Sequence, residues 1–255
     1  MQTALDLAHA AHAENPENVG LRLRFHERIL DSELIVPLTA PPDGDRVEPQ
    51  VFALSDGPVV LAFDRDDRMA EFLGTPADFA AMTGRRLVAL LTGHGTGLAL
   101  NLGAPSAALL PAEAVDWLAR IAAEAVPETS ARAQDIGPAG IVPRTLLDAL
   151  AMKLGAMADR LGSAHLASAR LGDGPPGLLL GLVGVPEPAR PAMAAAVAEA
   201  VRFSGLDQTV LDVTFPAEGS ALAAAVAREG LRLEMPAPPA PAASAPAEPK
   251  PPRLR

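Results

Sequence analysis

A break in the hydrophobic pattern near the middle of the chain constrains its fold more than any other feature. Residues 127–142 show neither helical nor strand periodicity. Their turn-forming residues are Pro127, Gly137, Pro138 and Gly140. Apolar residues recur regularly on both sides of this segment. We therefore predict two small domains, at 1–126 and 143–235, joined by a linker at 127–142.

The first domain alternates between helix and strand signals. Its helix signals lie at residues 5–13, 16–30, 66–73, 78–82 and 111–125. Its strand signals lie at 34–38, 51–54, 59–63 and 98–102, and a hairpin turn is expected at 55–58. Residues 86–91 are apolar enough to be buried, but a helix and a strand both fit them. This order predicts an α+β domain with an antiparallel core.

The second domain restarts the pattern with a helix after Pro143. The apolar stripe of that helix consists of Leu147, Leu150, Leu154, Met157 and Leu161. Strand signals follow at 165–171, 178–185, 209–215 and 231–234, and helix signals at 189–203 and 219–229. The first two strands flank a hairpin loop at 172–177. The order predicts a four-stranded sheet covered by helices, so both domains are α+β modules with an antiparallel or mixed sheet.

The last twenty residues differ in composition from the rest of the chain. Residues 236–255 include eight Pro and six Ala, and Leu254 is their only large aliphatic residue. Such a segment cannot offset its ordering entropy by burial, so we predict a disordered tail that is partly polyproline II. Its net charge is +2, against −12 for the rest of the chain. The basic end could fold back or bind an acidic partner, or the tail could simply be solvated.

Composition excludes several classes of function. A net charge of −10 argues against a nucleic-acid surface, which needs a basic face. The absence of Cys excludes disulfides, thiolate metal sites and cysteine nucleophiles. The longest apolar run, residues 177–185, is far shorter than the ~20 residues that span a bilayer. The N-terminus also lacks the basic and apolar regions of a secretion signal. We therefore predict a cytoplasmic protein with no membrane partner.

The sharpest enzymatic signal is an apolar strand that ends in Asp64-Arg65-Asp66. Two carboxylates at the end of a strand could hold Mg²⁺ while Asp64 attacks a phosphoryl group, as in haloacid-dehalogenase-like phosphatases. Those enzymes usually have Thr or Val where this chain has Arg68, and their partner Lys has no clear counterpart. The simpler interpretation is that Asp64 caps a helix and Asp66 lies in its first turn.

Other polar motifs also have simple interpretations. The glycines of residues 93–97 precede a strand and lack the Lys-Ser/Thr of a P-loop, so we predict a turn with His94 in solvent. His9 and His12 could share a helix face but lack further ligands, so no metal site is expected. Arg24 and Arg28 lie one helical turn apart and could bind an acidic ligand, although a salt-bridged surface also explains them.

The N-terminal segments resemble those of a known family. Residues 25–38 (FHERILDSELIVPL) look like the helix-to-strand entry of the SseB-like, enhanced-serine-sensitivity family. Further matching segments, in the order of the family, are 49–54 (PQVFAL), Glu71-Phe72, 97–103 (GLALNLG) and 110–113 (LPAE). The resemblance covers about the first 125 residues, and the second half is similar to the family's C-terminal domain in layout. Asn101-Leu102 departs from the Asn-Pro that the family often has, so the loop that follows is expected to differ.

The resemblance brings no established catalytic residues, so none is transferred to this chain. We predict a non-enzymatic interaction or regulatory protein that has a protein partner and needs no cofactor. A partner strand could add to the edge of either sheet. One alternative is a Mg²⁺-dependent phosphatase-like hydrolase that uses Asp64 as nucleophile and Asp66 as acid/base. Another is an amino-acid or small-ligand sensor with a pocket between the domains near Arg24, Arg28 and Asn101.

Overall fold

The computed structural model describes residues 2–42, 47–55, 57–123, 131–205 and 210–235. The predicted tail, 236–255, therefore lies outside the described residues. The chain divides into two compact units, Met1–Ser130 with Ala194–Leu211, and Ala131–Met193 with Asp212–Arg255. Helices and sheets occur in both units, so the predicted α+β class is confirmed. The exact domain boundaries stay a prediction.

The first unit contains five helices and six strands among its described residues up to Ala123. The helices are α1 (Ala4–Glu14), α2 (Val19–Asp31), α3 (Asp66–Leu73), α4 (Gly84–Leu91) and α5 (Ala112–Ala123). The strands are β1 (Glu33–Pro37), β2 (Val51–Leu54), β3 (Gly57–Ala62), β4 (Phe79–Thr83), β5 (Gly97–Leu100) and β6 (Ala108–Leu110).

The main sheet of this unit has the strand order β2-β3-β5-β6. Its central pair, β3 and β5, is parallel, with Val60 opposite Leu98. The prediction of an antiparallel core is therefore wrong at the centre, because the chain between β3 and β5 is long enough for a crossover that contains α3, β4 and α4. Strands β1 and β4 form a separate antiparallel pair, which a bridge between Ile35 and Phe63 connects to the end of β3.

The sheet has apolar residues on both faces. Along β3, Val60 and Ala62 contribute to a large core with residues of α2, α4 and α5, while Val59 and Leu61 contribute to a smaller core on the opposite face. Phe63, Ala99 and Met69 of α3 complete the smaller core. The two faces are thus covered by very different numbers of helices.

Several predicted elements of the first unit shift or change. The helix expected from residue 16 begins at Val19, because the side chain of Asn18 caps it and the backbone of Asn15 ends α1. The helix expected at 78–82 is wrong: these residues form β4, since pairing with β1 overrides the helix propensity of alanine. Residues 86–91, whose sequence fits both a helix and a strand, belong to helix α4. Strand β6 has no counterpart among the predicted strands.

The second unit has a five-stranded sheet in place of the four strands expected. Strands β8 (Ser163–Leu171), β9 (Pro176–Val183), β10 (Leu211–Thr214) and β11 (Leu231–Arg232) match the predicted signals. The additional strand, β7 (Ala133–Pro138), lies within the predicted linker and pairs with β8. Its register shifts between Gln134 and Gly137, and Asp135 has a φ of +51°, so no period of two is visible in its sequence.

The helices of the C-terminal half are α6 (Arg144–Gly155), α7 (Arg190–Phe203) and α8 (Ala221–Glu229). On α6 the buried residues include Leu146, Leu150 and Leu154, so the predicted stripe is wrong at Leu147, which is only half-buried. The predicted stripe also extends too far, because the helix ends at Gly155. Among the described residues, no helix has both the length and the hydropathy needed to cross a bilayer.

The part of α7 from Ala194 onward belongs to the first unit. There the ring of Phe203 meets that of Trp117 edge-to-face, with 6.0 Å between centroids. A carboxylate oxygen of Glu199 accepts a hydrogen bond from Arg85 Nη2 at 2.9 Å. The sequence alone placed this helix with the second domain, since periodicity does not reveal which core an apolar face joins.

Candidate functional site

A largely shielded arginine, Arg68, connects three parts of the first unit, around Asp6, Asp64 and Ser106. Arg68, on α3, donates from Nη1 and Nη2 to both carboxylate oxygens of Asp6, at 2.9 and 2.7 Å. Nη1 also donates to Asp64 at 2.7 Å. The three side chains are 15%, 10% and 4% exposed, so these ion pairs are largely shielded from water. We call this set, with the neighbours described next, the Arg68 network.

Three uncharged side chains complete the Arg68 network. Thr3 donates from Oγ1 to Asp64 at 2.6 Å, and Ser106 donates to Asp6 at 2.5 Å. Asn101 accepts a bond from the backbone of Asp64 at 3.0 Å and donates to Ser106 at 3.0 Å. Asn101 has a φ of +47°, a conformation that asparagine tolerates better than most residues and that turns the chain out of β5.

These contacts strongly favour the charged forms. The hydrogen bonds from Arg68, together with those from Ser106 and Thr3, hold the pKa of Asp6 well below its ordinary value of 3.8, although burial opposes them. The hydrogen bonds to Asp6 and the charge of Asp64 raise the pKa of Arg68. The stability that Asp6 supplies is therefore present above about pH 4 and is lost as the pH falls below that value.

A cavity of about 340 Å³ lies beside the Arg68 network. Its polar lining residues are Gln2, Asp6, His9, Arg65, Arg68 and Ser106. Ala10 and Ala13 recur on the same face of α1 as Asp6 and leave space there because their side chains are small. The cavity thus offers a carboxylate, two guanidinium groups, an imidazole and a hydroxyl to a small polar molecule.

The structure brings together only some of the residues singled out from sequence. Asp64 and Asn101 belong to the Arg68 network, whereas Asp66 is exposed and its Oδ1 accepts the backbone N–H of Asp67 at 2.8 Å. Arg24 and Arg28 lie on α2 and do not line the cavity. Within the described ranges, no three His, Asp or Glu side chains are arranged to hold a metal ion.

Sequence reasoning missed Asp6, Arg68 and Ser106 as members of one cluster. A signal was present for Asp6, because Thr3 and Asp6 form a capping box in which each side chain bonds the backbone of the other. Arg68 was noted only as a departure from a phosphatase motif. Its pair with Asp64 has the i,i+4 spacing of a helical ion pair, which is a local signal. Its other partners, Asp6 and Ser106, lie 62 and 38 residues away, so no local pattern connects them to Arg68.

The histidines near the N-terminus pack against aromatic rings. His9 meets Phe25 edge-to-face at 5.3 Å, and His26 lies 5.6 Å from Trp117 between ring centroids. His26 Nδ1 is buried and has no hydrogen-bond partner among the described residues. Burial, followed by the charges of Arg22 and His12, lowers the pKa of His26 to about 4. His94 is exposed in its loop, as its glycine-rich surroundings suggest.

A second feature of the first unit is a group of phenylalanines on the side of the main sheet that α3 covers. Cross-strand partners share a face, so Phe52 lies with Val59, Ile35 with Phe63, and Phe79 with Pro37. The ring of Phe72, on α3, lies 5.7 Å from that of Phe63. Leu54, Phe72 and Phe79 remain 45%, 43% and 49% exposed. We call the surface formed by Phe52, Leu54, Phe72 and Phe79 around Phe63 the aromatic face.

The comparison with protein families matches residues 5–117 to the family described as SseB protein N-terminal domain. Residues 5–117 are thus similar to the SseB N-terminal domain. The resemblance inferred from the sequence is therefore confirmed over this stretch, which contains both the Arg68 network and the aromatic face. Neither the curated proteins nor the solved structures yielded a match. The similarity of the second half to the family's C-terminal domain stays a prediction.

Replacing Arg68 tests whether the network holds the fold of the first unit together. Arg68→Met leaves the carboxylates of Asp6 and Asp64 buried without a counter-charge, so we expect the free energy of unfolding at pH 7 to fall by about 3–5 kcal/mol. Urea denaturation measures the loss. Arg65→Met, which breaks the exposed pair with Asp67, is the matched control and should cost less than about 1 kcal/mol. A loss that small in Arg68→Met would contradict the assigned role.

The lowered pKa of His26 predicts a pH dependence of stability. An unfolded histidine titrates near pH 6.5, so protonation favours the unfolded state between about pH 6.5 and pH 4. The free energy of unfolding should therefore fall by about 1–2 kcal/mol on its account from pH 7 to pH 5. His26→Gln should remove this part of the slope in urea titrations, and His94→Gln should not. Burial also lowers the pKa of His165. His165 is present in the unchanged chain and in both variants, so its contribution to the pH slope cancels in the comparison.

Equal pH slopes for His26→Gln and the unchanged chain would contradict the prediction.

Proposed function

We propose that this chain is a cytoplasmic, non-enzymatic interaction or regulatory protein that binds a protein partner through the aromatic face. The observation that carries the proposal is the exposure of Leu54, Phe72 and Phe79 on the side of the sheet that carries the smaller core. Apolar patches on a folded surface mark sites of interaction more often than isolated exposed residues do. Phenylalanine adds large contact area at a small cost in side-chain entropy, which makes it an effective anchor.

The Arg68 network supports the proposal because its ion pairs hold α3, the helix that carries Phe72, in place. Arg68 and Phe72 lie four residues apart on α3, so the ion pairs that fix one end of the helix also position the exposed ring. The carboxylates of Asp6 and Asp64 already bind Arg68, Thr3 and Ser106. Their arrangement favours a structural role for these groups over a reactive one.

Affinity capture with matched variants tests the interaction. Phe72→Ser with Phe79→Ser removes both exposed rings, and recovery of a reproducible partner should fall roughly tenfold or more, because aromatic anchors contribute strongly to binding. Leu90→Ser is the control, since Leu90 is 39% exposed on α4, whose buried residues belong to the large core on the opposite face of the sheet. Quantitative mass spectrometry of the captured proteins gives the measurement.

Two outcomes would overturn this function. One is equal recovery of every partner by the aromatic-face variant and the control. The other is Mg²⁺-dependent hydrolysis of p-nitrophenyl phosphate by the purified chain that disappears in Asp64→Asn, which would favour the hydrolase alternative.

The cavity beside the Arg68 network favours a second candidate, an amino-acid or small-ligand sensor. Its lining combines Asp6 with Arg65 and Arg68, and a zwitterion could contact both signs of charge. A bound ligand at one hundred times its Kd should stabilise the chain by about 2.7 kcal/mol in a thermal-shift screen of amino acids. Ala10→Leu fills the cavity and should abolish the shift. No shift for any amino acid, or the same shift in Ala10→Leu, would contradict the sensor.

A further inference from the structure

We propose that β2 is a docking edge for an extended segment of a partner protein, which adds to the main sheet as a strand and carries alternating apolar residues together with lysine or arginine. The inference rests on the proposed function, because Phe52 and Leu54 of β2 belong to the aromatic face. It adds the conformation and the charge of the segment that binds there. In strand addition, main-chain hydrogen bonds supply affinity and alternate side chains supply specificity.

Strand β2 lies at one end of the main sheet. Its neighbour in the sheet is β3, and among the described residues no other named strand pairs with it. A bridge between Leu38 and Pro49 occupies the chain just before β2, so the open stretch is β2 itself, Val51–Leu54. An edge of this kind presents unpaired N–H and C=O groups to a strand from another chain.

Pro58 of β3 determines which main-chain groups of β2 point outward. Ala53 lies opposite Pro58, which has no N–H, so this pair cannot exchange two hydrogen bonds. Bonded and non-bonded pairs alternate in an antiparallel ladder, so Phe52 and Leu54 are the residues that bond to β3. The N–H and C=O groups of Val51 and Ala53 therefore face the open edge, at the spacing of two residues that an added strand requires.

Exposed side chains on both faces of β2 favour a strand over a helix as the ligand. Leu54 is 45% exposed on the side of the aromatic face, whereas Val51, opposite Val60 of the large core, is 55% exposed on the other side. A helix on the aromatic face would leave Val51 in water. The side chains of an added strand lie beside both residues, because they alternate between the two faces of the sheet.

The sequence of β2 lacks the residues that usually prevent strand addition. Natural edge strands are often blocked by proline, by lysine or by a bulge. Strand β2 has the sequence VFAL and pairs with β3 without a shift in register, so none of these devices is present in it. Its four residues limit the contact to a short segment of the partner.

Acidic side chains determine the charge of the segment that fits this edge. Residues 47–62, which contain β2 and β3, include Glu48 and Asp56 but no Lys or Arg. Glu48, Glu71 and Asp78 are exposed, and the last two adjoin the exposed rings of the aromatic face in sequence. A segment with lysine or arginine is attracted to this side of the first unit, and an acidic segment is repelled.

A synthetic peptide tests the inference on the full chain. The probe alternates valine with lysine or threonine over about nine residues, which extends past both ends of β2 at about 3.3 Å per residue. We expect saturable shifts of the amide NMR signals of Val51 and Ala53 and slower hydrogen exchange at both, because their N–H groups donate to the peptide. The amide signal of Leu90 on α4 should not change.

Modified peptides separate strand addition from apolar or charge attraction alone. Methylation of the backbone nitrogens that face β2 should weaken binding about tenfold or more, because each lost N–H forfeits a hydrogen bond. Methylation of the alternate nitrogens, which face away from β2, should change the affinity by less than about twofold. Glutamate in place of lysine should also weaken binding, most clearly at low salt.

Ala53→Pro is the matched change in the protein. Proline is tolerated on an edge strand where the N–H faces outward, so the hairpin persists while the edge loses a donor, and peptide affinity should fall about tenfold. Val51→Lys, at an exposed position, adds the charge that blocks natural edges and should also weaken binding of the basic probe. This second variant decides the question if the proline disturbs the hairpin. Leu90→Ser should leave the affinity unchanged.

Several results would overturn the proposal. One is the absence of saturable shifts up to about 2 mM peptide, and another is shifts confined to β6 at the other end of the sheet. Equal binding by both methylated peptides, or by the basic and acidic peptides, would do the same, as would unchanged affinity in Val51→Lys. Concentration-dependent shifts of Val51 and Ala53 without peptide would mean that a second copy pairs along β2.

The proposed function is tested separately from this edge. The peptide experiment leaves Phe72 and Phe79 unchanged, whereas the capture experiment replaces both rings and leaves β2 unchanged. A partner that is lost with the two rings, combined with a peptide that does not bind β2, would overturn strand addition and leave the proposed function standing.

Discussion

Burying the guanidinium of Arg68 imposes a condition on the whole first unit. Removing a charge from water costs several kcal/mol, and the structure offsets this cost only because Asp6, Asp64 and Ser106 all reach the same group. Those residues come from α1, from the end of β3 and from the loop after β5. The ion pairs therefore form only when these elements have assembled, and they determine where α3 lies on the sheet.

The position of α3 explains the unequal faces of the sheet. Residues of five helices, α1, α2, α4, α5 and α7, contribute to the large core on one side, while a single helix of eight residues covers the small core on the other. Eight residues extend only about 12 Å along the helix axis, so α3 shields Phe63 and leaves Phe72, Phe79 and Leu54 partly in water. A short helix held in place by buried charge thus leaves the aromatic face open, and the surface proposed for binding follows from that geometry.

Local patterns predicted most elements, and the failures have specific causes. The helix Asp66–Leu73 was predicted to the residue, because its acidic first turn and the glycine after it mark both ends. The helix predicted at residues 78–82 is wrong because alanine favours helices in isolation, whereas pairing with β1 stabilises a strand there. Strand β7 was missed because a bulge breaks its alternation. Asp64 and Asn101 were noticed as single residues, but neither has a local pattern that indicates their shared contact.

Short segments of the sequence encode the class of fold, the order of most helices and strands, and the resemblance to the SseB N-terminal domain over residues 5–117, because these depend on periodicity, caps and turns. Three features appear only in the folded chain: Arg68 contacts Asp6 and Ser106, β3 and β5 run parallel, and phenylalanines of β2, β4 and α3 lie on one side of the sheet. The physical reason is distance along the chain. Contacts between residues tens of positions apart depend on how the elements pack, and packing is a property of the assembled fold that no single segment encodes.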